Sequence, residues 1–234
     1  MSKLNIRGLY LITRETKIPD VDSSKLHLSV QGLTDQVEQA ILGGAKVIQY
    51  RDKSSDQIRR HAEATALRNV CQRHAIPFII NDDVKLAISV QADGVHLGRD
   101  DLKLQQARKL LGPQAIIGIS CYNQLDFAVQ AEQNGADYIA FGSFFSSPTK
   151  PLATLAQHTL LQQAKNKLKI PIVAIGGITP ENGAELLNAG ADALAVISGV
   201  FSQEKPELAA ARYVQLFERK QNTAANYQTP EHTA

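Results

Sequence analysis

The residues in this chain that could carry phosphate or metal chemistry fall into short polar stretches, each following an apolar run. In order they are Gln49-Tyr50-Arg51-Asp52-Lys53, Asn81-Asp82-Asp83, Gly98-Arg99-Asp100-Asp101 and Ser120. Beyond these come Gly142-Ser143 with Ser146-Ser147-Pro148-Thr149-Lys150, Gly176-Gly177-Ile178-Thr179, and Ile197-Ser198-Gly199. Arg51 and Lys53 are two apart, so an extended backbone aims both to one side. Together they could clamp a multiply charged phosphate, Arg51 through its planar fork and Lys53 as a point charge; a solvated charged loop would read the same way. Asp82 and Asp101 follow successive apolar runs. Two such carboxylates, completed by waters and phosphate oxygens, suit octahedral Mg²⁺. The same NDD is an ordinary helix N-cap, with Asp82 or Asp83 capping a helix expected at 84–90. Both readings hold if one aspartate caps and the other ligates.

Gly176-Gly177-Ile178-Thr179 and Ile197-Ser198-Gly199 have the character of a backbone phosphate site. Glycine lets the main chain approach an anion closely, and Pro180 suits a helix start. In the stretch Ser147-Pro148-Thr149-Lys150, Lys150 could neutralise a leaving group and the hydroxyls could bind phosphate or a ring substituent; a flexible linker is the alternative. His96 lies inside an apolar run and reads as a hydrogen-bonded core histidine rather than a ligand. Cys121 has no evident base partner and reads as packing. There is no paired-histidine metal motif and no P-loop. The set therefore points to phosphate and Mg²⁺ chemistry rather than covalent catalysis.

These groups act together only if the fold brings them to one place. Eight β-rich runs precede them: 9–13, 47–50, 78–81, 94–97, 116–120, 138–142, 172–176 and 193–197. Most are nearly continuous in apolar residues, as strands buried on both faces should be. Between them lie helix-period segments. One carries Leu33, Val37, Ala40, Ile41 and Gly44 on one face; another carries Ile58, Ala62 and Thr65, then Leu67, Val70, Cys71 and His74. GGAKVIQY, QADGVHLG, NGADYIAFG and AGADALAVIS form an internal repeat before every second run. Gly44, Gly135 and Gly190 would end a helix in the left-handed conformation, with Gln91 in that place in the remaining copy. A single α/β domain of the (β/α)₈ TIM-barrel type over residues 1–220 is the expected fold, with a doubly wound open sheet as the alternative. In such a barrel every polar stretch would ring the C-terminal mouth.

Composition sets the remaining bounds. The chain has 234 residues and a net charge of +2, with no Lys/Arg-rich run, so nucleic acid is not an expected partner. Neither is a membrane, since no apolar run approaches ~20 residues. The beginning of the chain has no secretory signal pattern, and with two cysteines no disulfide scaffold is expected; a cytoplasmic protein fits. Residues 221–234 are polar and without period and read as a disordered tail. Homo-oligomerisation is left open.

Taken together, GLYLIT, VIQYRDK, FIINDD with GVHLGRDD, IIGISCYN, GADYIAFGSFFSSPTKP, IPIVAIGGITPEN and AGADALAVIS resemble the thiamine phosphate synthase family, in its order and spacing from about Gly8 to about Ser198. Two stretches depart from it. Residues 16–28 look like a variable insertion before the first helix. Ser146-Ser147-Pro148-Thr149-Lys150 stands where the family commonly has Pro-Thr-x-Thr-Lys. The resemblance implies a transferase that joins hydroxymethylpyrimidine diphosphate to hydroxyethylthiazole phosphate, or its carboxylated form, with release of pyrophosphate. It implies ionisation of the donor to a pyrimidinyl methyl cation, then attack by the thiazole nitrogen. By position, Gln49, Arg51, Lys53, Asn81, Ser120 and Lys150 would hold the pyrimidine diphosphate, with Tyr50 and Asp52 counted in the same substrate-binding run. Asp82 and Asp101 would hold Mg²⁺. Ser147, Thr149, Gly177, Ile197 and Ser198 would hold the thiazole phosphate, with Pro148 counted among the substrate-binding residues. Arg51, Lys53, Ser120 and Lys150 are the expected catalytic residues. A thiazole tautomerase-like barrel and a non-catalytic phosphate-binding barrel are the competing readings. The first needs no diphosphate clamp, and the second leaves the carboxylate pair unexplained.

Overall fold

The computed structural model describes residues 6–15, 23–146 and 154–226, with the backbone alone at 23–25 and 221–226. Strands β1 (Gly8–Ile12), β2 (Val47–Tyr50), β3 (Phe78–Asn81), β4 (Gly94–Leu97), β5 (Ile116–Tyr122), β6 (Tyr138–Gly142), β7 (Ile172–Ile175) and β8 (Ala193–Val196) pair in sequence order, all parallel. β1 also pairs with β8, Gly8 opposite Ala193, so the sheet closes into a barrel. Closure settles the choice against an open doubly wound sheet. Helices α1 (Ser23–Leu42), α2 (Gln57–Arg73), α3 (Val84–Ser89), α4 (Leu104–Leu111) and α5 (Leu125–Gln133) follow the first five strands. α6 (His158–Lys167), α7 (Gly183–Ala189), the one-turn α8 (Ser198–Phe201) and α9 (Pro206–Asn226) complete the outer ring.

The strands are buried on both faces, which is why they read as apolar runs. One cluster, including Leu11, Ile48, Phe78, Ile80, Ile117, Ile139 and Leu194, packs the sheet against the helices. A second, including Tyr10, Val47, Ile79, Ile116, Tyr138 and Val173, fills the barrel interior. Side chains alternate between the two along each strand. The repeat has the expected basis: Gly44, Gly135 and Gly190 have φ of +98°, +90° and +122°, and Gln91 takes +55° in the fourth copy. The same turn is made there by a residue that strains to make it.

Three expectations about the helical layer are corrected. α1 begins at Ser23, so residues 23–28 lie in the first helix and not before it; residues 16–22 lie outside the described residues. α9 continues to Asn226, past the domain boundary placed at residue 220, while residues 227–234 lie outside the described set. QNTAAN has no apolar period, but it contains strong helix formers, and no proline follows until Pro230. In α2 the second half buries Leu67, Val70 and Cys71 as expected, but Ile58 is 78% exposed. Its place on the inner face is taken by Arg59 and Glu63, which meet polar partners at the end of β2.

Candidate active site

A cavity of about 700 Å³ opens at the C-terminal ends of the strands. One wall carries Gln49, Arg51, Asn81 and Ser120; the opposite wall carries Gly177, Ile197 and Ser198. Alternation decides which of the residues at the end of β2 reach it. Gln49 points inward, and Arg51 follows on the same side, its backbone N–H donating to the Thr13 hydroxyl at 2.9 Å. Tyr50 and Asp52 point the other way, which corrects their assignment as substrate-binding residues. The Tyr50 hydroxyl donates to Glu63 Oε2 at 2.7 Å, and Asp52 Oδ2 lies 2.8 Å from Arg59 Nη2. The Arg59 guanidinium also donates to Ser54 Oγ at 2.7 Å. This buried polar lock fixes the backbone that carries Arg51 and Lys53.

Gln49 is 2% exposed, and its Nε2 has no hydrogen-bond partner among the described residues. A buried donor left unpaired at the base of a cavity is a costly feature unless a ligand meets it.

Lys53 departs from the expected pairing with Arg51. The strand ends at Tyr50, so strict alternation does not extend to residue 53. Its Nζ lies 3.3 Å from Asp82 Oδ2 at the rim. The two aspartates after β3 have different partners. Asp83 caps α3, accepting from Leu86 N at 3.0 Å, and pairs with Arg60 at 2.9 Å. Asp82, at φ +62°, turns away from the cap toward Asp101. The Asp101 carboxyl is raised above the usual carboxylate range, first by burial and then by its hydrogen-bonded contact with Asp82. It also accepts from Gly98 N at 2.6 Å. Two hard oxygen donors from successive loops are thus held together against their own repulsion, a donor set that fits Mg²⁺. Among the described residues no cluster of three or more acidic, histidine or cysteine ligands occurs, so water and substrate oxygens would supply the rest.

The opposite wall is shaped by its own backbone. Asn182 Oδ1 accepts from Thr179 N at 2.8 Å, and Asn182 Nδ2 donates to Gly177 O at 3.1 Å, tying the loop after β7 to the start of α7. Tyr213 of α9 donates to Ile178 O at 3.0 Å. Gly177 has φ +63°, and a Cβ there would lie 2.5 Å from Ser146 O, so this loop packs on the one after β6. Ser198 and Gly199 open α8, where the N–H groups of a first turn have no partner within the helix. Ser147, Pro148, Thr149 and Lys150 lie outside the described residues.

His96 is hydrogen-bonded as expected, but in the cavity wall. Its Nε2 lies 2.8 Å from Ser120 Oγ and its Nδ1 3.0 Å from Tyr138 Oη. Tyr138 and Tyr10, whose hydroxyls are 2.8 Å apart, were not singled out from sequence. The available signal was a tyrosine at an inward position of two otherwise apolar strands. Arg99, whose guanidinium lies 5.0 Å from the Tyr122 ring centroid, joins the rim in the same way. Cys121 is fully buried and its thiol is pushed up to about 12 by burial, as suits a packing residue.

Fold and site together define a (β/α)₈-barrel enzyme whose polar groups gather at the C-terminal mouth. The family model for thiamine monophosphate synthase matches residues 9–200, and the chain belongs to that family. The thiamine-phosphate synthases of Nitrosococcus oceani and Thiobacillus denitrificans are 50% and 49% identical to it over 213 and 210 residues. These alignments cover 91% and 90% of this chain and 94% of each relative. The solved thiamine phosphate pyrophosphorylase of Pyrococcus furiosus superposes with a TM-score of 0.78 at 32% identity, covering 92% of this chain and 97% of that one.

Proposed function

We propose that the chain is a thiamine-phosphate synthase, a transferase that joins a pyrimidine diphosphate to a thiazole phosphate and releases pyrophosphate. What supports this reading is that two unlike polar groups, each of a chemistry suited to an anion, gather at one mouth. Arg51 lines the cavity on the β2 side, Lys53, Asp82 and Asp101 touch one another in the loops after β2, β3 and β4 beside it, and Gly177, Ile197 and Ser198 line the wall across from Arg51. A barrel binding a single phosphate has no use for the first group.

In this reading Gln49, Asn81 and Ser120 hold the pyrimidine. The unpaired Gln49 amide offers a donor where a ring heteroatom would sit. Arg51 and Lys53 meet the diphosphate, joined by Lys150 from the loop after β6. Ser147, Pro148, Thr149, Gly177, Ile197 and Ser198 hold the thiazole phosphate. Mg²⁺ held by Asp82 and Asp101 would neutralise charge on the departing pyrophosphate. The C–O bond to the diphosphate breaks, a C–N bond to the thiazole nitrogen forms, and no side chain serves as nucleophile. The residues stabilise charge that develops on the leaving group, an electrostatic role. The two buried, unbridged cysteines are in keeping with a cytoplasmic location. Among the described residues no helix is long and apolar enough to cross a membrane.

The test is to supply purified protein with both substrates and Mg²⁺ and to look for thiamine phosphate by mass spectrometry. Product formation that needs both substrates supports the reading. Binding of one phosphate compound with no product over hours would favour the sensor alternative.

A further inference from the structure

Three inward side chains from three strands form one hydrogen-bonded line that ends on Ser120. Tyr10 of β1 meets Tyr138 of β6 at 2.8 Å, Tyr138 meets His96 Nδ1 at 3.0 Å, and His96 Nε2 meets Ser120 Oγ at 2.8 Å. The barrel is built to admit this line. Gly118 of β5 sits in register between His96 of β4 and Tyr138 of β6. A Cβ at Gly118 would lie 2.0 Å from Tyr138 Cζ. The missing side chain lets the tyrosine ring lie across β5 and stack on His96, with ring centroids 5.5 Å apart and planes 29° apart.

One direction of the protons gives every donor of this line an acceptor within it, up to Ser120. Tyr10 and Tyr138 are fully buried, and burial raises both phenols far above their ordinary value, so each keeps its proton. Tyr10 has no hydrogen-bond partner among the described residues except Tyr138. If Tyr138 donated to Tyr10, the buried Tyr10 proton would have no acceptor among the described residues, at a cost of a lost hydrogen bond. Tyr10 therefore donates to Tyr138, which spends its own proton on His96 Nδ1. A neutral imidazole whose Nδ1 accepts carries its proton on Nε2. That proton goes to Ser120 Oγ, and the serine proton is left to point into the cavity.

We propose that Tyr10 and Tyr138 are positioning residues that hold His96 as its Nε2–H tautomer and so present the Ser120 hydroxyl to the bound substrate as a hydrogen-bond donor. The ligand atom that Ser120 meets is then an acceptor, such as an aromatic ring nitrogen or a phosphate oxygen, and not an N–H group. This rests on the proposed function for the identity of the ligand, whereas the tautomer is a property of the protein alone.

The test is long-range ¹H–¹⁵N correlation NMR on the full-length protein labelled at histidine, with His96 assigned by its loss in His96→Gln. The expected wild-type spectrum shows a protonated Nε2 and an unprotonated Nδ1 for His96 at neutral pH. In Tyr138→Phe the lock is removed, the Nδ1–H form appears, and kcat falls on the order of tenfold, the worth of one hydrogen bond. Ser120→Ala should leave the tautomer in place while lowering activity. An Nδ1–H tautomer in the wild type, or a Tyr138→Phe spectrum identical to it, would overturn the proposal. Because the wild-type spectrum needs no turnover, a failure of the assigned activity and a failure of the tautomer assignment are read separately.

Discussion

Asp52 and Arg59 form an ion pair at 2.8 Å whose side chains are 1% and 5% exposed. It lies behind the residues that face the cavity, with Arg51 and Lys53 on either side of Asp52 in the chain. Asp52 Oδ1 also accepts from Ser54 N at 2.7 Å, so the turn leaving β2 is held at two points. Removing one partner of a buried pair leaves an uncompensated charge and typically costs about 3–5 kcal/mol. Arg59→Ala and Asp52→Ala should each lower unfolding free energy by an amount of that order in urea titrations. The double variant should lose less than the sum. Additive losses would show that the two charges are not coupled.

Gln49 invites a different trade. Its buried, unpaired amide costs the folded protein roughly 1–3 kcal/mol by itself. Gln49→Leu should keep or raise the unfolding free energy while raising KM for the pyrimidine diphosphate several-fold. A stability loss of more than about 1 kcal/mol would mean that the amide already has a partner.

Asp82 and Asp101 should be needed for turnover but not for folding. Asp82→Ala and Asp101→Ala should each cut kcat by two orders of magnitude or more, with unfolding free energy within about 1 kcal/mol of wild type. Asp83→Ala should do the reverse, because it removes a helix cap worth about 1 kcal/mol and leaves the pair intact. Equal effects of Asp82→Ala and Asp83→Ala on kcat would dissolve the division between capping and metal binding.

The two phosphate walls should separate kinetically. Arg51→Ala should depress kcat/KM for the pyrimidine diphosphate by about tenfold to a hundredfold, the range for losing a charge-assisted hydrogen bond. Ser198→Ala should raise KM for the thiazole phosphate with the other KM unchanged. Gly177→Val is a less selective probe, because its side chain would strike Phe145 and Ser146 and displace the loop that leads to Lys150. If Ser198→Ala weakened both substrates equally, the assignment of the β7–β8 wall to one substrate would fail.

Much of this architecture is legible in the sequence, for physical reasons. β2, β3, β4 and β6 have the bounds the apolar runs give, because strands buried on both faces are mostly apolar and the loops that follow them are not. The clustering at one mouth followed from closure. What was lost is mostly directional. Gln49 through Lys53 reads as one polar block in the sequence, whereas alternation sends Tyr50 and Asp52 to the helices. Ile58 looked like core by its type, but its helix turns Arg59 and Glu63 inward to answer Asp52 and Tyr50, a tertiary demand no local pattern carries. Tyr10, Tyr138 and His96 are far apart in sequence, and nothing in each strand alone announces that their polar ends meet.

If both anion sites serve one metal-assisted condensation, purified protein should release pyrophosphate together with thiamine phosphate, and the two can be followed in parallel with and without EDTA. With both substrates and Mg²⁺, the two products should accumulate in equal amounts. With the thiazole phosphate omitted, or with EDTA present, both should fall to background. Undiminished product formation in EDTA would contradict the metal assignment, and the absence of product under complete conditions would contradict the function itself.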